Sequence, residues 1–282
     1  MRPLEDWQAA AAEHRRRVTA ELAAVTERRD RGLKHPVDDF LWHYYNLRPS
    51  HLKQWFPGIG ALIEDDGSDW GPFHRRAGGI VQFDTDAFLA KRRETAVNAA
   101  AILRGSAKNP ARFGCFGMHE WAMVYGLQPA ETRHPYLPLR FSPERIREIV
   151  EEVGCRCSHY DAYRFFTPAA RPLNLLVPTR ARQAELDQPG CLHTNMDLYK
   201  WAGKLWPAVS SELLFETFLL ARDIREVDMR ASAYDVSQWG LPPIKVETVP
   251  GRQEYVELQR AFTLRSEPLR NDLIAVVDEL GV

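Results

Sequence analysis

The chain has 282 residues, 45% of them hydrophobic and 27% charged, and its 37 lysines and arginines nearly balance 38 aspartates and glutamates. This composition is typical of a globular protein and excludes a disordered or fibrous chain, and the length suffices to bury a core without disulfides or structural metals. The net charge of −1 provides no overall field to attract a polyanion, so any contact with nucleic acid must be local.

The N-terminal segment and the hydropathy of the chain predict a cytoplasmic protein that does not span a membrane. In MRPLEDWQAAAAEHRRRV, acidic residues precede the basic ones and no apolar stretch of signal-peptide length follows. No uncharged apolar run approaches the roughly 20 residues that a membrane-spanning helix needs. The cysteines are interpreted as reduced thiols, mostly in the core, because Cys155 and Cys157 are spaced one residue too tightly for the usual zinc knuckle or redox pair.

The first part of the chain predicts helices interrupted by a small β segment. Residues 4–31 have the composition of one long amphipathic helix, and Pro36 is a favourable start for another. Residues 57–83 are rich in Gly, Asp and Trp and contain short apolar pieces, which indicates strands or a hairpin. Asp84 can cap a further helix, for which Gly105 is the predicted end.

The second part of the chain predicts a mainly α fold with one more strand. Residues 113–127 (FGCFGMHEWAMVYGL) contain a single charged side chain, which predicts a helix that is buried nearly all round. Residues 242–249 (PPIKVETV) alternate as a short strand does, and a last amphipathic helix follows from about Gln253. Other helices are predicted to begin at Pro143, at Thr194 or Asn195, and at Ser210 or Ser211. The elements together predict a single helical domain over residues 1–282.

His119 and Glu120 are strong candidates for chemistry because they lie inside the apolar 113–127 segment. Burying a carboxylate without a partner costs several kcal/mol or forces it to bind a proton, so Glu120 must be paired. One interpretation makes Glu120 a general acid or base, or a metal ligand beside His119. The other makes it a structural ion pair with an arginine of another helix.

The segment SHYDAYRFF brings a second histidine close to a carboxylate. If it is helical, His159 and Tyr163 share one face, while Asp161 and Arg164 share another at i,i+3 spacing. Asp161 is therefore either a catalytic carboxylate or the partner of Arg164.

A third segment, CLHTNMDLYKW, places His193 and Asp197 four residues apart. That spacing suits a metal site or an orienting hydrogen bond. Further along, Glu216, Asp223 and Arg230 recur every seven residues and line one stripe of a helix. The Leu and Phe residues around Glu216 indicate that this carboxylate points inward.

Four short motifs carry a resemblance to a known family: HEWAM at 119–123, SHYD at 158–161, PGCLH at 189–193 and DMRAS at 228–232. Over nearly its whole length the chain resembles a family of bacterial proteins catalogued as 3-methyladenine DNA glycosylases. The resemblance implies hydrolysis of the N-glycosidic bond of an alkylated purine without a metal cofactor. The implied partner is a modified nucleobase, a nucleoside or DNA, with a carboxylate activating water and aromatic rings clamping an extruded base.

Candidate residues for this activity come from the same segments. The catalytic candidates are Glu120, Asp161, Asp197, His119 and His159. The substrate-binding candidates are Trp121, Tyr160, Tyr163, Arg164, Lys200, Trp201 and Arg230.

The alternative is a metal-dependent enzyme, such as a non-haem iron oxygenase, that acts on a small molecule. Three segments each offer a histidine with a nearby carboxylate, and these ligands suit iron or zinc. The predicted ligands are His119, Glu120, His159, His193 and Asp197. A third interpretation is a helical binding or scaffold protein whose polar interior is only structural. Both enzymatic hypotheses require the ionisable groups of the three segments to meet in the interior.

Overall fold

The computed structural model describes residues 1–45 and 47–282 and confirms a mainly α fold. The helices are α1 (Leu4–Glu21), α2 (Ala23–Asp30), α3 (Asp38–Tyr44), α4 (Pro49–Lys53), α5 (Thr85–Lys108), α6 (Met118–Ala122), α7 (Pro143–Val153), α8 (Tyr160–Tyr163), α9 (Gln183–Leu186), α10 (Leu192–Leu205), α11 (Ser211–Arg230) and α12 (Val249–Glu279). Short 3-10 turns lie at Pro129–Glu131, Arg171–Leu173, Arg180–Arg182 and Ser237–Trp239. None of the described helices combines the length and the apolarity that crossing a membrane would require.

A small antiparallel sheet confirms the β structure predicted for residues 57–83. Its strands are β1 (Leu62–Glu64), β2 (His74–Ala77) and β3 (Ile80–Phe83), with β3 in the middle. Ile63 of β1 lies opposite Val81 of β3, and both side chains are buried. This pair therefore lies on the inward face of the sheet.

The chain forms two compact units. Unit 1 comprises Met1–Leu103, Leu198–Leu219 and Pro268–Val282, and unit 2 comprises Arg104–Asp197 and Leu220–Glu267. The divisions between them fall inside α5, α10, α11 and α12. The single domain over residues 1–282 stays a prediction.

Tryptophans form the part of the unit 1 core that lies against the sheet. The ring of Trp7 stacks on Trp55 with centroids 5.9 Å apart and meets Trp70 edge-on at 5.2 Å. Trp7 Nε1 donates to the carbonyl oxygen of Glu64 at 3.0 Å, and Trp55 Nε1 donates to Glu212 Oε1 at 2.6 Å. Buried aromatic rings dominate core energetics, so this cluster fixes α1 against the sheet and the start of α11.

Gly105 does not end α5, because the helix continues to Lys108. A Cβ atom at position 105 would lie 2.2 Å from the carbonyl oxygen of Ala184. Glycine therefore permits a close approach of the backbone at α9, and the prediction of a helix end at this residue is wrong.

Residues 242–249 do not form the predicted strand. Ile244 and Val246 are buried, which explains the alternating pattern. The N–H of Ile244 donates to the carbonyl oxygen of Arg230, and the N–H of Val246 donates to Ile244, so these groups do not form a ladder. The first two residues are prolines, which lack the N–H that a ladder needs.

Other helix boundaries also differ from the prediction. The helix predicted over 4–31 is divided at Leu22 between α1 and α2, and α10 begins at Leu192, before the predicted caps. In contrast, α11 begins as predicted, since Ser210 Oγ accepts the N–H of Leu213 at 3.2 Å.

We expect Trp7→Ala to lower the free energy of unfolding by about 3–5 kcal/mol, because it removes a ring that contacts two other buried rings. Urea denaturation followed by circular dichroism measures the loss. Leu264→Ala, at a side chain that is 71% exposed, is the control and should change stability by less than about 0.5 kcal/mol. Equal losses in both variants would show that the tryptophan cluster does not support the core.

Candidate metal site

Histidines from three segments meet in the interior of unit 2. His119 lies on α6, His193 lies in the first turn of α10, and His159 immediately precedes α8. The ring centroids of His119 and His193 are 4.4 Å apart with the rings nearly perpendicular. Those of His159 and His193 are 5.4 Å apart with the rings nearly parallel. All three side chains are buried, so the prediction that these segments meet is confirmed.

Asp228 of α11 completes a group of potential metal ligands with two of these histidines. Its Oδ1 lies 2.7 Å from His119 Nε2, and its Oδ2 lies 3.9 Å from His193 Nε2. One ligand atom from each of the three residues lies within 4.8 Å of the others, and all three residues are buried. We call His119, His193 and Asp228 the ligand triad. Asp228 is not among the ligands that the sequence predicts, although it begins the DMRAS motif.

The backbone before α6 places His119 beside the end of α11. The helix predicted over 113–127 forms only as α6, and it begins no earlier than Met118 because Phe116 and Gly117 adopt left-handed conformations with φ of 49° and 71°. A Cβ atom on Gly117 would lie 3.2 Å from Cβ of Ala231 and 3.3 Å from the ring of Tyr255. Glycine therefore allows the turn to approach these side chains closely, and the prediction of a longer helix is wrong.

Hydrogen bonds around the PGCLH motif hold the start of α10. Gln188 Oε1 accepts the N–H of Arg112 at 2.8 Å, and Gln188 Nε2 donates to the carbonyl oxygen of Arg112 at 3.2 Å. Asn195 Nδ2 donates to the carbonyl oxygen of Pro189 at 2.8 Å. These bonds fix the turn that precedes His193.

Arg225 joins two buried carboxylates. Its Nη1 donates to Glu120 Oε1 and to Asp228 Oδ2, both at 2.7 Å. Burial raises the pKa of Glu120, and the positive charge of Arg225 opposes this shift. Glu120 thus forms an ion pair with an arginine of another helix, which is the second of the two interpretations of its burial.

Charges within the cluster determine the protonation of the ligand triad. Burial favours the neutral carboxyl, but the charges of His119 and Arg225 outweigh it and lower the pKa of Asp228 well below its usual range. Burial also disfavours a charged imidazole, but the charge and hydrogen bond of Asp228 raise the pKa of His119 well above its ordinary value. For His193, burial and the charge of His119 together lower the pKa. Asp228 and His193 thus have the protonation states that metal ligation needs, whereas His119 must release its proton.

His159 and Asp197 form a second buried pair beside the triad. His159 Nε2 lies 3.1 Å from Asp197 Oδ2, and His159 Nδ1 accepts the N–H of Ala162 at 3.3 Å. Because Nδ1 is an acceptor, Nε2 carries the proton of the neutral ring and donates it to Asp197. Both ring nitrogens of His159 are engaged, so the geometry favours a role in orienting His193 by stacking. The predicted role of His159 and Asp197 as metal ligands stays a prediction.

The cysteines of unit 2 are free thiols, as predicted. Burial raises the pKa of Cys155 and of Cys191 to about 12 in each case. Cys115 is partly exposed, and its Sγ lies 3.6 Å from His119 Nδ1, the ring nitrogen that does not face Asp228. Contacts of this kind to the second nitrogen orient metal-binding histidines.

Asp161 and its neighbours on α8 lie outside the ligand triad. Asp161 Oδ1 lies 3.2 Å from Arg164 Nε, so the i,i+3 pair that the sequence allows is formed. Tyr160 and Tyr163 are partly exposed, and Arg164 is exposed. Their catalytic and substrate-binding roles stay predictions.

The other substrate-binding candidates are distributed over both units. Trp121 is buried and its Nε1 donates to the carbonyl oxygen of Ala231 at 2.8 Å, which makes it part of the core of unit 2. Arg230 is partly buried, and its Nε donates to the carbonyl oxygen of Pro242 at 3.0 Å. Lys200 and Trp201 lie in the unit 1 part of α10, with Lys200 Nζ 4.7 Å from the ring centroid of Trp201.

The inward orientation predicted for Glu216 is wrong. Its side chain is 46% exposed, and its Oε1 lies 3.1 Å from Arg17 Nη2. The apolar neighbours Leu214, Phe215 and Phe218 are buried. They occupy the inward side of α11, whereas residue 216 faces outward.

We expect Arg225→Met to destabilise the protein by about 3–5 kcal/mol, because it leaves two carboxylates buried without their shared cation. Urea denaturation measures this loss. In the double variant Arg225→Met/Glu120→Gln the loss should be smaller, since one of the two charges is removed. Arg182→Met is the control, because Arg182 forms an exposed pair with Glu185 in the same unit, and it should leave stability nearly unchanged. An Arg225→Met variant as stable as the wild type would contradict the role of Arg225 in bridging Glu120 and Asp228.

Comparison with known proteins does not indicate a function for the ligand triad. No family model, no curated protein and no solved structure matches the chain. The function must therefore be inferred from the residues themselves, and the resemblance to the glycosylase family stays a prediction.

Proposed function

We propose that the protein is a metal-dependent enzyme that binds one divalent transition-metal ion through His119, His193 and Asp228 and acts on a small molecule. The observation that carries this proposal is that one ligand atom from each residue lies within 4.8 Å of the others. Donors bound to one ion at about 2.1 Å lie little more than about 3 Å apart. Side-chain adjustment alone therefore brings the triad to coordination distance.

The donor set indicates which ions fit. Two imidazoles and one carboxylate are the ligands of non-haem iron(II) oxygenases, and a similar set binds zinc in some hydrolases. Such an ion supplies open coordination positions at which a substrate, water or dioxygen is activated. We take iron(II) as the first expectation and zinc as the alternative, and metal analysis distinguishes the two.

Residues around the triad have supporting roles in this proposal. Arg225 engages Asp228 Oδ2 and helps to keep the carboxylate ionised. The ring of His159 stacks on His193, and Cys115 contacts Nδ1 of His119. Each potential ligand thus has a neighbour that limits its rotation, as outer contacts do in metal sites.

Metal content tests the proposal directly. Protein purified without chelator, or reconstituted anaerobically with iron(II) or zinc, should contain close to one equivalent of one of these metals. His193→Ala should lose most of the bound metal, because it removes one of the three ligands and leaves the contacts of Asp228 with His119 and Arg225 in place. The control is His43→Ala, at an exposed histidine, which should keep the metal. Wild-type protein that retains neither metal would contradict the proposal.

The N-glycosidase implied by the family resemblance is the second candidate. The observation that favours it is the hydrogen bond between Asp228 and His119 at 2.7 Å, because an ionised carboxylate beside an imidazole can activate water without a metal. Metal-depleted protein should then release alkylated purines from alkylated DNA or nucleosides, and Asp228→Asn should abolish release. No release from any of these substrates would end this candidate.

A further inference from the structure

A basic and aromatic surface lies next to α8, which directly follows His159. We define the arginine patch as Arg133, Arg164 and Arg171 around Phe165. The guanidinium carbon of Arg133 lies 4.4 Å from the ring centroid of Phe165, and that of Arg164 lies 4.3 Å from it. Arg171 Nη2 donates to the carbonyl oxygen of Arg164 at 3.4 Å. Two of the three guanidinium groups therefore lie against one ring, and the third donates to the backbone beside it.

The arginine patch has an excess of positive charge. Asp161 balances Arg164 at 3.2 Å. Within the described part of the chain, neither Arg133 nor Arg171 has an acidic side chain at ion-pair distance. The nearby Glu131 instead accepts the N–H of Gln128 at 2.7 Å. Because like charges held close together repel each other, such a patch attracts an anion.

The geometry of the patch favours a tetrahedral anion over a planar one. A guanidinium that lies over a ring keeps its N–H groups available in its own plane, where they donate to an oxyanion. Arg133 and Arg164 lie over the same ring, so a single anion at the ring edge can reach both. A carboxylate is matched by one guanidinium, whereas a phosphate presents oxygens in several directions and accepts from more than one arginine.

We propose that the arginine patch binds a phosphate group carried by the small-molecule substrate. The link to a substrate rests on the proposed metal-dependent function, whereas the binding of phosphate does not. α8 connects the two regions in sequence, because it begins directly after His159, whose ring stacks on His193. The partly exposed Tyr160 and Tyr163 of α8 lie on the chain between the buried histidine and the patch.

Isothermal titration of the full-length protein with inorganic phosphate, at constant ionic strength, tests the proposal. Wild-type protein should bind phosphate more tightly than acetate. Arg133→Met and Arg171→Met should each weaken phosphate binding by about tenfold, as expected when one charge-assisted hydrogen bond is lost. The matched control is Arg145→Met, an exposed arginine of α7 that pairs with Glu148, and it should bind phosphate as the wild type does.

Two further measurements distinguish phosphate binding at the arginine patch from binding at the proposed metal site. His193→Ala should still bind phosphate, which excludes phosphate bound to a metal ion, and Arg133→Met should keep its metal content. Equal affinity for phosphate and acetate, or unchanged binding in both arginine variants, would overturn the proposal. A short single-stranded oligonucleotide that binds far more tightly than phosphate, with a steep dependence on salt, would overturn it in favour of a nucleic-acid surface.

Discussion

The buried carboxylate of Asp228 is the interaction on which the candidate site depends. It contacts His119 through one oxygen and Arg225 through the other, and it lies 3.9 Å from His193. An isolated charge at this depth would be far too costly to remain ionised. Its partners lower its pKa instead, so the interior of unit 2 holds an ionised carboxylate among imidazoles.

The same interaction links structure with the proposed chemistry. Arg225 ties Asp228 to Glu120, so α6 and α11 are connected by an ion network that is buried in unit 2. Removing one member of such a network leaves a buried charge without its partner, whereas the intact network holds the side chains of its members in fixed positions. A cluster that orients two imidazoles and one carboxylate in this way is suited to bind a metal ion. The chemistry would then be set by the ion and by what occupies its remaining positions.

Much of this site could be anticipated from the sequence, because its signals are local. The apolar segment around His119 and Glu120 indicates burial, and the spacing of Asp161 and Arg164 on a helix predicts their contact. The partner of Glu120 could not be identified, since Arg225 lies 105 residues away and many arginines were available. Asp228 was missed as a ligand for the same reason: its meeting with His119 depends on a contact between α6 and α11 that no local pattern encodes. Helical periodicity likewise predicts most of the helices, whereas the predictions for Gly105 and for residues 242–249 are wrong because tertiary contacts determine the structure there.

X-ray absorption spectroscopy of the iron-loaded protein tests the central claim most directly, because it reports the atoms bound to the ion. We expect a first shell of nitrogen and oxygen at about 2.0–2.2 Å, with outer scattering from two imidazole rings. A first shell without imidazole, or one dominated by sulfur, would contradict ligation by His119, His193 and Asp228.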